Sequence, residues 1–139
     1  MFTITMEDLI RVGGVCHFGI LTASATLPFV LDWRKSLSML SKIERQLVLA
    51  WASFIVLVIL GFGTLSLVHA RELAAGSTLA RAVCGFIALF WCFRLAWQFF
   101  VYEVRDVIES NTRWLWVGYH GLTLVFLYFA LVYGVAALR

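Results

Sequence analysis

Residues 46–68, QLVLAWASFIVLVILGFGTLSLV, form a continuous run without a charged side chain. An α-helix rises 1.5 Å per residue, so about 20 apolar residues cross the roughly 30 Å hydrocarbon core of a bilayer. This stretch therefore predicts a transmembrane helix. Three further runs of similar length lie at 12–31, 82–102 and 114–138, and only the run at 82–102 is interrupted by a charge, at Arg94.

The composition of the whole chain excludes a soluble protein. Of its 139 residues, 63% are hydrophobic and 14% are charged, and the mean hydropathy is +0.94. An average soluble domain has roughly 25% charged residues, and a small fold needs a polar exterior. The sequence therefore predicts an all-α membrane protein, a four-transmembrane-helix bundle with short loops.

The chain reads as one transmembrane domain over 1–139, without internal repeats or a low-complexity tract. Once the flanking residues are included, the predicted spans cover about 10–31, 46–69, 80–103 and 113–138.

The connection between the first two spans carries its own helical pattern. Trp33, Leu37 and Leu40 recur at i, i+4 and i+7 among serine and lysine residues. This spacing predicts a short interfacial helix within 33–43, lying in the headgroup plane. An ordinary polar loop is the alternative.

The distribution of basic residues predicts the orientation, because cytoplasmic loops carry the excess of Lys and Arg. The 32–45 and 103–113 connections share one side and hold six basic residues: Arg34, Lys35, Lys42, Arg45, Arg105 and Arg113. The other side holds four: Arg11, Arg71, Arg81 and Arg139. We therefore expect a multi-pass protein of the bacterial inner membrane with both termini outside.

Small residues are expected to mediate helix packing, since lipid offers no hydrophobic drive for association. Along the third span they recur every four residues, as Ala80, Cys84, Ala88, Cys92 and Ala96. A separate aromatic stripe consists of Phe86, Phe90, Phe93 and Trp97. Further close-approach positions are Gly13, Gly14, Gly19, Gly61, Gly63, Gly118 and Gly121. We expect the small ridge to face the bundle and the stripe to face lipid or a partner subunit.

The three cysteines form no Cys-x-x-Cys pair, so we expect them to be packing residues. A disulfide between Cys16 and Cys84 is geometrically open, whereas Cys84 and Cys92 lie too far apart on one helix.

Ionisable residues at membrane depth are functional candidates, because burying them in lipid is costly. Arg94 and Gln98 lie one turn apart in the third span. If the third and fourth spans pack antiparallel, Tyr119 and His120 lie level with Gln98. The sequence therefore predicts a ligand-binding cluster of these four side chains, with no carboxylate inside any span to neutralise Arg94.

Arg94 has three alternative partners. It can bond to backbone carbonyls, water or a partner subunit, it can meet an anionic ligand, or it can extend to a headgroup. The last alternative requires crossing about 15 Å, more than the side chain spans without thinning of the bilayer.

The histidines also raise the question of a macrocycle. His17 follows Gly13 by one turn, a gap over which haem or a chlorin could lie, and His120 is a second possible single ligand. The two differ by roughly 15 Å in depth, so they cannot be paired axial ligands. A hydrogen-bonded structural imidazole is the alternative for each, and no spacing typical of a metal site occurs.

Quinones suit the predicted cluster best, because their carbonyls accept hydrogen bonds from His, Gln and Tyr and their anionic reduced form is stabilised by Arg. We therefore expect a membrane protein that binds a hydrophobic small molecule with a polar or anionic head, and we leave open whether it acts in redox or electron transfer and whether it is an enzyme. The alternative is a non-catalytic accessory or assembly subunit, or a homo-oligomer, in the lipid bilayer. Transport ranks lower, and no basic stripe indicates a nucleic-acid partner.

Overall fold

A computed structural model of the chain describes residues 3–101 and 113–139, with side chains of the last helix from residue 116 onward. Within these residues all regular secondary structure is α-helical: α1 (Met6–Ser24), α2 (Leu27–Val30), α3 (Trp33–Ser38), α4 (Lys42–Val68), α5 (Ala70–Ala74), α6 (Thr78–Phe100) and α7 (Arg113–Leu138).

Four segments are long and apolar enough to cross a membrane: Met6–Val30, Lys42–Val68, Thr78–Phe100 and Trp116–Leu138. They overlap the four predicted spans and differ from them by a few residues at the ends. The predicted all-α, four-helix membrane bundle is thereby confirmed. The connection from 102 to 112, which contributes Arg105 to the charge count, lies outside the described residues.

Serine and threonine caps determine where three of the long helices begin. The Thr5 hydroxyl accepts from the backbone N–H of Asp8, whose carboxylate accepts from the Thr5 N–H. Ser41 and Glu44 form the same reciprocal capping box before α4. Ser77 accepts from a backbone N–H in the first turn of α6. Such caps satisfy amide groups that have no partner within the helix.

The 32–45 connection contains a helix, as predicted, but a shorter one. Helix α3 runs from Trp33 to Ser38, inside the predicted range 33–43. Asp32 precedes it in a left-handed conformation with φ 45°, and the Ser41 cap begins the next helix three residues after α3 ends. These two breaks limit α3 to six residues.

The long helices form two antiparallel pairs, α1 with α4 and α6 with α7, and α1 also packs against α7 to join them. The Arg81 Nε group near the start of α6 donates to the Ala137 carbonyl near the end of α7, at 3.0 Å. Thr5, α5 and Arg139 therefore lie at one end of the bundle, here called the terminal end. The opposite end, where α1 leads into the 25–41 connection, is called the loop end.

The core is concentrated toward the terminal end. On α4 the buried residues are Ile59, Phe62, Gly63 and Ser66, whereas none of residues 42–57 is buried. The first half of α4 therefore leaves the neighbouring helices as it approaches the loop end.

The small-residue ridge of α6 follows the same division. Ala80, Cys84 and Ala88 are buried, but Cys92 and Ala96 are exposed. Each step of four residues rotates the ridge by about 40°, because a helix has 3.6 residues per turn, so five members cannot all face one neighbour. Three members of the aromatic stripe, Phe86, Phe93 and Trp97, are exposed, and Phe90 is partly buried. All three cysteines carry free thiols.

Three of the predicted close-approach glycines, Gly13, Gly14 and Gly63, lie against neighbouring helices. The other four, at positions 19, 61, 118 and 121, have no atom within 4 Å of an added Cβ. Close approach therefore occurs in the terminal half of the bundle, and the remaining glycines face open space.

The close contact at Gly63 gives a stability prediction. Gly63→Ala should lower the free energy of unfolding by about 1 to 3 kcal/mol, the usual range for overpacking. Its new Cβ would lie 2.9 Å from Phe18 Cε2 and 3.2 Å from His17 Cβ. Gly61→Ala on the same helix should be neutral or stabilising by up to ~1 kcal/mol, since Ala is the better helix former. Thermal unfolding in detergent measures both, and equal losses would contradict the close approach.

Candidate functional site

The predicted polar cluster lies where α6 and α7 approach the loop end, and the structure brings part of it together. Gln98 is buried and its amide Nε2 donates to the Thr123 hydroxyl. The Thr123 hydroxyl in turn donates to the carbonyl of Tyr119 at 2.8 Å. Tyr119 Oη donates to the carbonyl of Gln98 at 3.5 Å. Gln98 and Tyr119 therefore sit level, as predicted, and hold α6 to α7 through polar contacts.

Thr123 is a member of this cluster that the sequence analysis missed. One hydroxyl both accepts from Gln98 and donates to the α7 backbone, so it bridges two helices. Its position one turn after Tyr119 was the available signal, because residues four apart share a helix face.

Arg94 lies one turn before Gln98 and faces the same helix. Its guanidinium carbon is 5.1 Å from the centre of the Phe126 ring, within the range of a cation–π contact. Phe126 is buried and stacks on Trp91 at 4.9 Å. Helix α6 ends six residues after Arg94, at Phe100. That is about 9 Å along the axis.

His120 is not brought to the interior with Gln98. It is exposed, and its ring lies 4.3 Å from that of Trp116 in an edge-on arrangement. Successive residues on a helix point about 100° apart, so Tyr119 facing α6 turns its neighbour His120 toward the outside. The predicted ligand-binding group therefore divides into an inner part with Arg94, Gln98 and Tyr119, and an outer part with His120.

His17 lies in the core of the terminal half and is completely buried. The Trp91 indole N–H donates to its Nε2 at 3.1 Å, and an indole nitrogen can only donate. The ring proton must therefore reside on Nδ1, which donates to the Gly13 carbonyl at 2.7 Å. The ring also stacks on Phe129, with centroids 4.0 Å apart.

These contacts bear on the macrocycle hypothesis for His17. Both ring nitrogens are engaged, and the space next to Gly13 is occupied, since a Cβ there would lie 2.8 Å from Tyr133 Oη. The residues do not fit a haem or chlorin. They fit the alternative, a hydrogen-bonded structural imidazole. Within residues 3–101 and 113–139, no group of three His, Cys, Asp or Glu side chains could hold a metal ion.

Two further polar contacts tie the helix pairs together. Ser66 on α4 and Tyr133 on α7 share a buried hydrogen bond of 2.6 Å. Tyr128 on α7 donates to the carbonyl of Leu9 on α1 at 2.7 Å. Neither tyrosine was among the polar residues singled out from the sequence, although a buried phenol usually has a hydrogen-bond partner.

A groove of about 270 Å³ opens between α1 and α7 on the loop-end side of His17. Its lining consists of Cys16, Gly19, Ile20, Ala23, Leu122 and Val125. These side chains are apolar or thiol-bearing. The groove is therefore suited to a hydrocarbon chain and not to a polar solute.

The His17–Trp91 hydrogen bond gives a second stability prediction. Trp91→Phe should destabilise the bundle by at least ~1 to 3 kcal/mol, because it leaves the buried Nε2 without a donor. Trp97→Phe, at a side chain that is 44% exposed, should have little effect. A double-mutant cycle with His17→Ala, read from unfolding in detergent, should give a coupling energy of about 0.5 to 3 kcal/mol. Strictly additive effects would show that the two rings do not interact.

Comparison with known proteins assigns no family to this arrangement. No protein-family model matches the chain, and no curated protein and no solved structure matches it. The function proposed below therefore rests on the geometry of the chain itself.

Proposed function

We propose that this chain binds a lipophilic small molecule with a carbonyl or anionic head, such as a quinone, in the loop-end half of the bundle. One observation carries the proposal, the succession of contacts along α7. Leu122 lines the apolar groove, and Phe126, one turn later, carries the guanidinium of Arg94. The apolar groove and the cation thus both contact α7, at two residues that lie one turn apart.

Arg94 is the group suited to the polar head. A guanidinium donates several hydrogen bonds in a planar fork. Its contact with Phe126 orients the plane of the fork. A carbonyl or oxyanion would gain a charge-assisted hydrogen bond, which is roughly twice as strong as a neutral one.

Tyr119 is the second candidate donor. Its 3.5 Å distance to the Gln98 carbonyl is long for an O–H···O bond, whose usual range is about 2.5 to 3.0 Å. Exchanging this contact for a ligand oxygen therefore costs little. Gln98 has a different role, because its amide is already used by Thr123, and it would hold the two helices in register around the ligand.

The prediction is that blocking the groove or removing the cation releases the ligand. Gly19→Phe adds a ring at a residue that lines the groove, where no atom lies within 4 Å of an added Cβ. Gly19→Phe and Arg94→Leu should each weaken binding of a short-tailed benzoquinone roughly tenfold or more, the effect of losing about 1.4 kcal/mol. Quenching of tryptophan fluorescence in detergent measures the affinity.

Two control variants sharpen this test. Gly61→Phe adds the same ring at another open position, on α4, and should bind the quinone like the original chain. Arg94→Lys keeps the charge but loses the planar fork and should show an intermediate loss. Equal affinity in all variants, with lipophiles absent from mass spectra of the native protein, would overturn the proposal.

A non-catalytic subunit of a larger membrane complex is the second candidate. It is favoured by the exposed pair of His120 and Trp116 and by the open positions at Gly118 and Gly121. A polar imidazole on the outer face of a membrane helix is stabilised by hydrogen bonding to another helix, and small residues allow that helix to approach. Under this proposal His120→Leu would release a co-purifying subunit while leaving quinone affinity unchanged.

We further propose that the protein resides in a bacterial inner membrane with both termini on the outer face. The support is the excess of basic residues in the connections at the loop end and the shared position of the two chain ends at the terminal end. A reporter that is active only in the periplasm, fused after Arg139, should give strong activity. Activity from a cytoplasmic reporter at the same position would reverse the orientation.

A further inference from the structure

The connection at the loop end has an unbalanced positive charge. Between residues 32 and 45 there are four basic side chains, Arg34, Lys35, Lys42 and Arg45, and two acidic ones, Asp32 and Glu44. All six are exposed. In the part of the chain that the structure describes, none of these basic groups takes part in an ion pair.

The acidic side chains of the segment do not neutralise this charge. The Glu44 carboxylate accepts from the backbone N–H of Ser41 at 2.9 Å and completes the cap of α4. Asp32 sits in the left-handed turn before α3, which displays Arg34 and Lys35 in its first turn. The positive groups are therefore directed to partners outside the described fold.

The terminal end differs in this respect. Arg11 pairs with Glu7 at 2.8 Å, and Arg81 donates to the Ala137 carbonyl. Basic groups at that end are partly satisfied within the protein. The asymmetry between the two ends points to an anionic partner at the loop end.

Apolar side chains identify where that partner lies. Met39 and Ile43 are 77% and 62% exposed and flank the basic residues. The segment joins two helices that are apolar enough to cross a membrane, so it lies where the hydrocarbon gives way to headgroups. Exposed apolar residues among basic ones are typical of segments that bind at this boundary.

We infer that segment 32–45 binds the headgroups of anionic phospholipids, with the four basic side chains on the phosphates and Met39 and Ile43 in the acyl region. This surface is separate from the proposed ligand site, and it requires neither the groove nor Arg94. Anionic lipids attract basic residues near the membrane surface, and salt screens that attraction.

The test compares two matched double variants of the full-length chain. Arg34→Gln/Lys35→Gln and Arg71→Gln/Arg139→Gln each remove two exposed positive charges, from the loop end and the terminal end respectively. Each protein is equilibrated in mixed micelles with equal amounts of phosphatidylglycerol and phosphatidylcholine. Native mass spectrometry then gives the ratio of the two lipids retained.

The original chain and the terminal-end variant should retain phosphatidylglycerol preferentially, and the loop-end variant should lose that preference roughly tenfold. High salt should abolish this preference in the original chain. Inorganic phosphate, added with phosphatidylcholine micelles at the same concentration, should not displace the phosphatidylglycerol. Equal preference in all three proteins, or equal loss in both variants, would overturn the inference. The salt experiment needs no substitution, so a variant that fails to fold leaves the test intact.

Discussion

The hydrogen bond from the Trp91 indole to His17 is the contact on which the bundle depends. It joins α1 to α6, the two helices that otherwise belong to separate pairs. A completely buried imidazole is costly unless both nitrogens are satisfied, and here Gly13 and Trp91 satisfy them. If Nε2 of His17 also carried a proton, its N–H would point at the indole N–H of Trp91, and neither group would have an acceptor. The site therefore holds one neutral tautomer and one relative position of the helix pairs.

This contact explains the uneven packing of the molecule. The rings of Phe129 and Tyr133 surround His17, and Ser66 bonds to Tyr133 from α4, so all four long helices meet at this level. Beyond it, toward the loop end, the hydrogen bonds among the described residues include none between α1 and α6. The pairs separate there, which leaves the α1–α7 groove. Arg94 of α6 contacts Phe126 of α7, one turn after the groove residue Leu122. The closely packed terminal half thus determines where the helices of the loop-end half lie.

Much of the fold could be predicted from the sequence, because span lengths follow from uncharged runs. The predicted spans begin at 10, 46 and 80, whereas the Thr5, Ser41 and Ser77 caps begin the helices two to four residues earlier. A structural role for His17 was among the predicted alternatives. The rotation of α7 about its own axis could not be predicted, because a helix in which nearly every residue is apolar has no distinct polar face. His120 therefore appeared equivalent to Tyr119, although they point in different directions. The roles of Thr123 and Trp91 were not predicted, because they depend on which residues of the neighbouring helices face them.

The polar residues of this chain have two different roles, which cannot be distinguished from the sequence alone. In the terminal half, Ser66 and Tyr133 satisfy each other, Gly13 and Trp91 satisfy His17, and these bonds contribute to the specificity of packing. Near the loop end, Gln98 and Thr123 bond to one another and to the α7 backbone. The Tyr119 contact is long, and the Arg94 guanidinium lies over the Phe126 ring. A long phenol contact and a cation close to an apolar groove suit the polar head of the proposed ligand. A charge within a membrane span is costly, so the position of Arg94 in a span, in contact with the helix that lines the groove, supports the binding function proposed for this end.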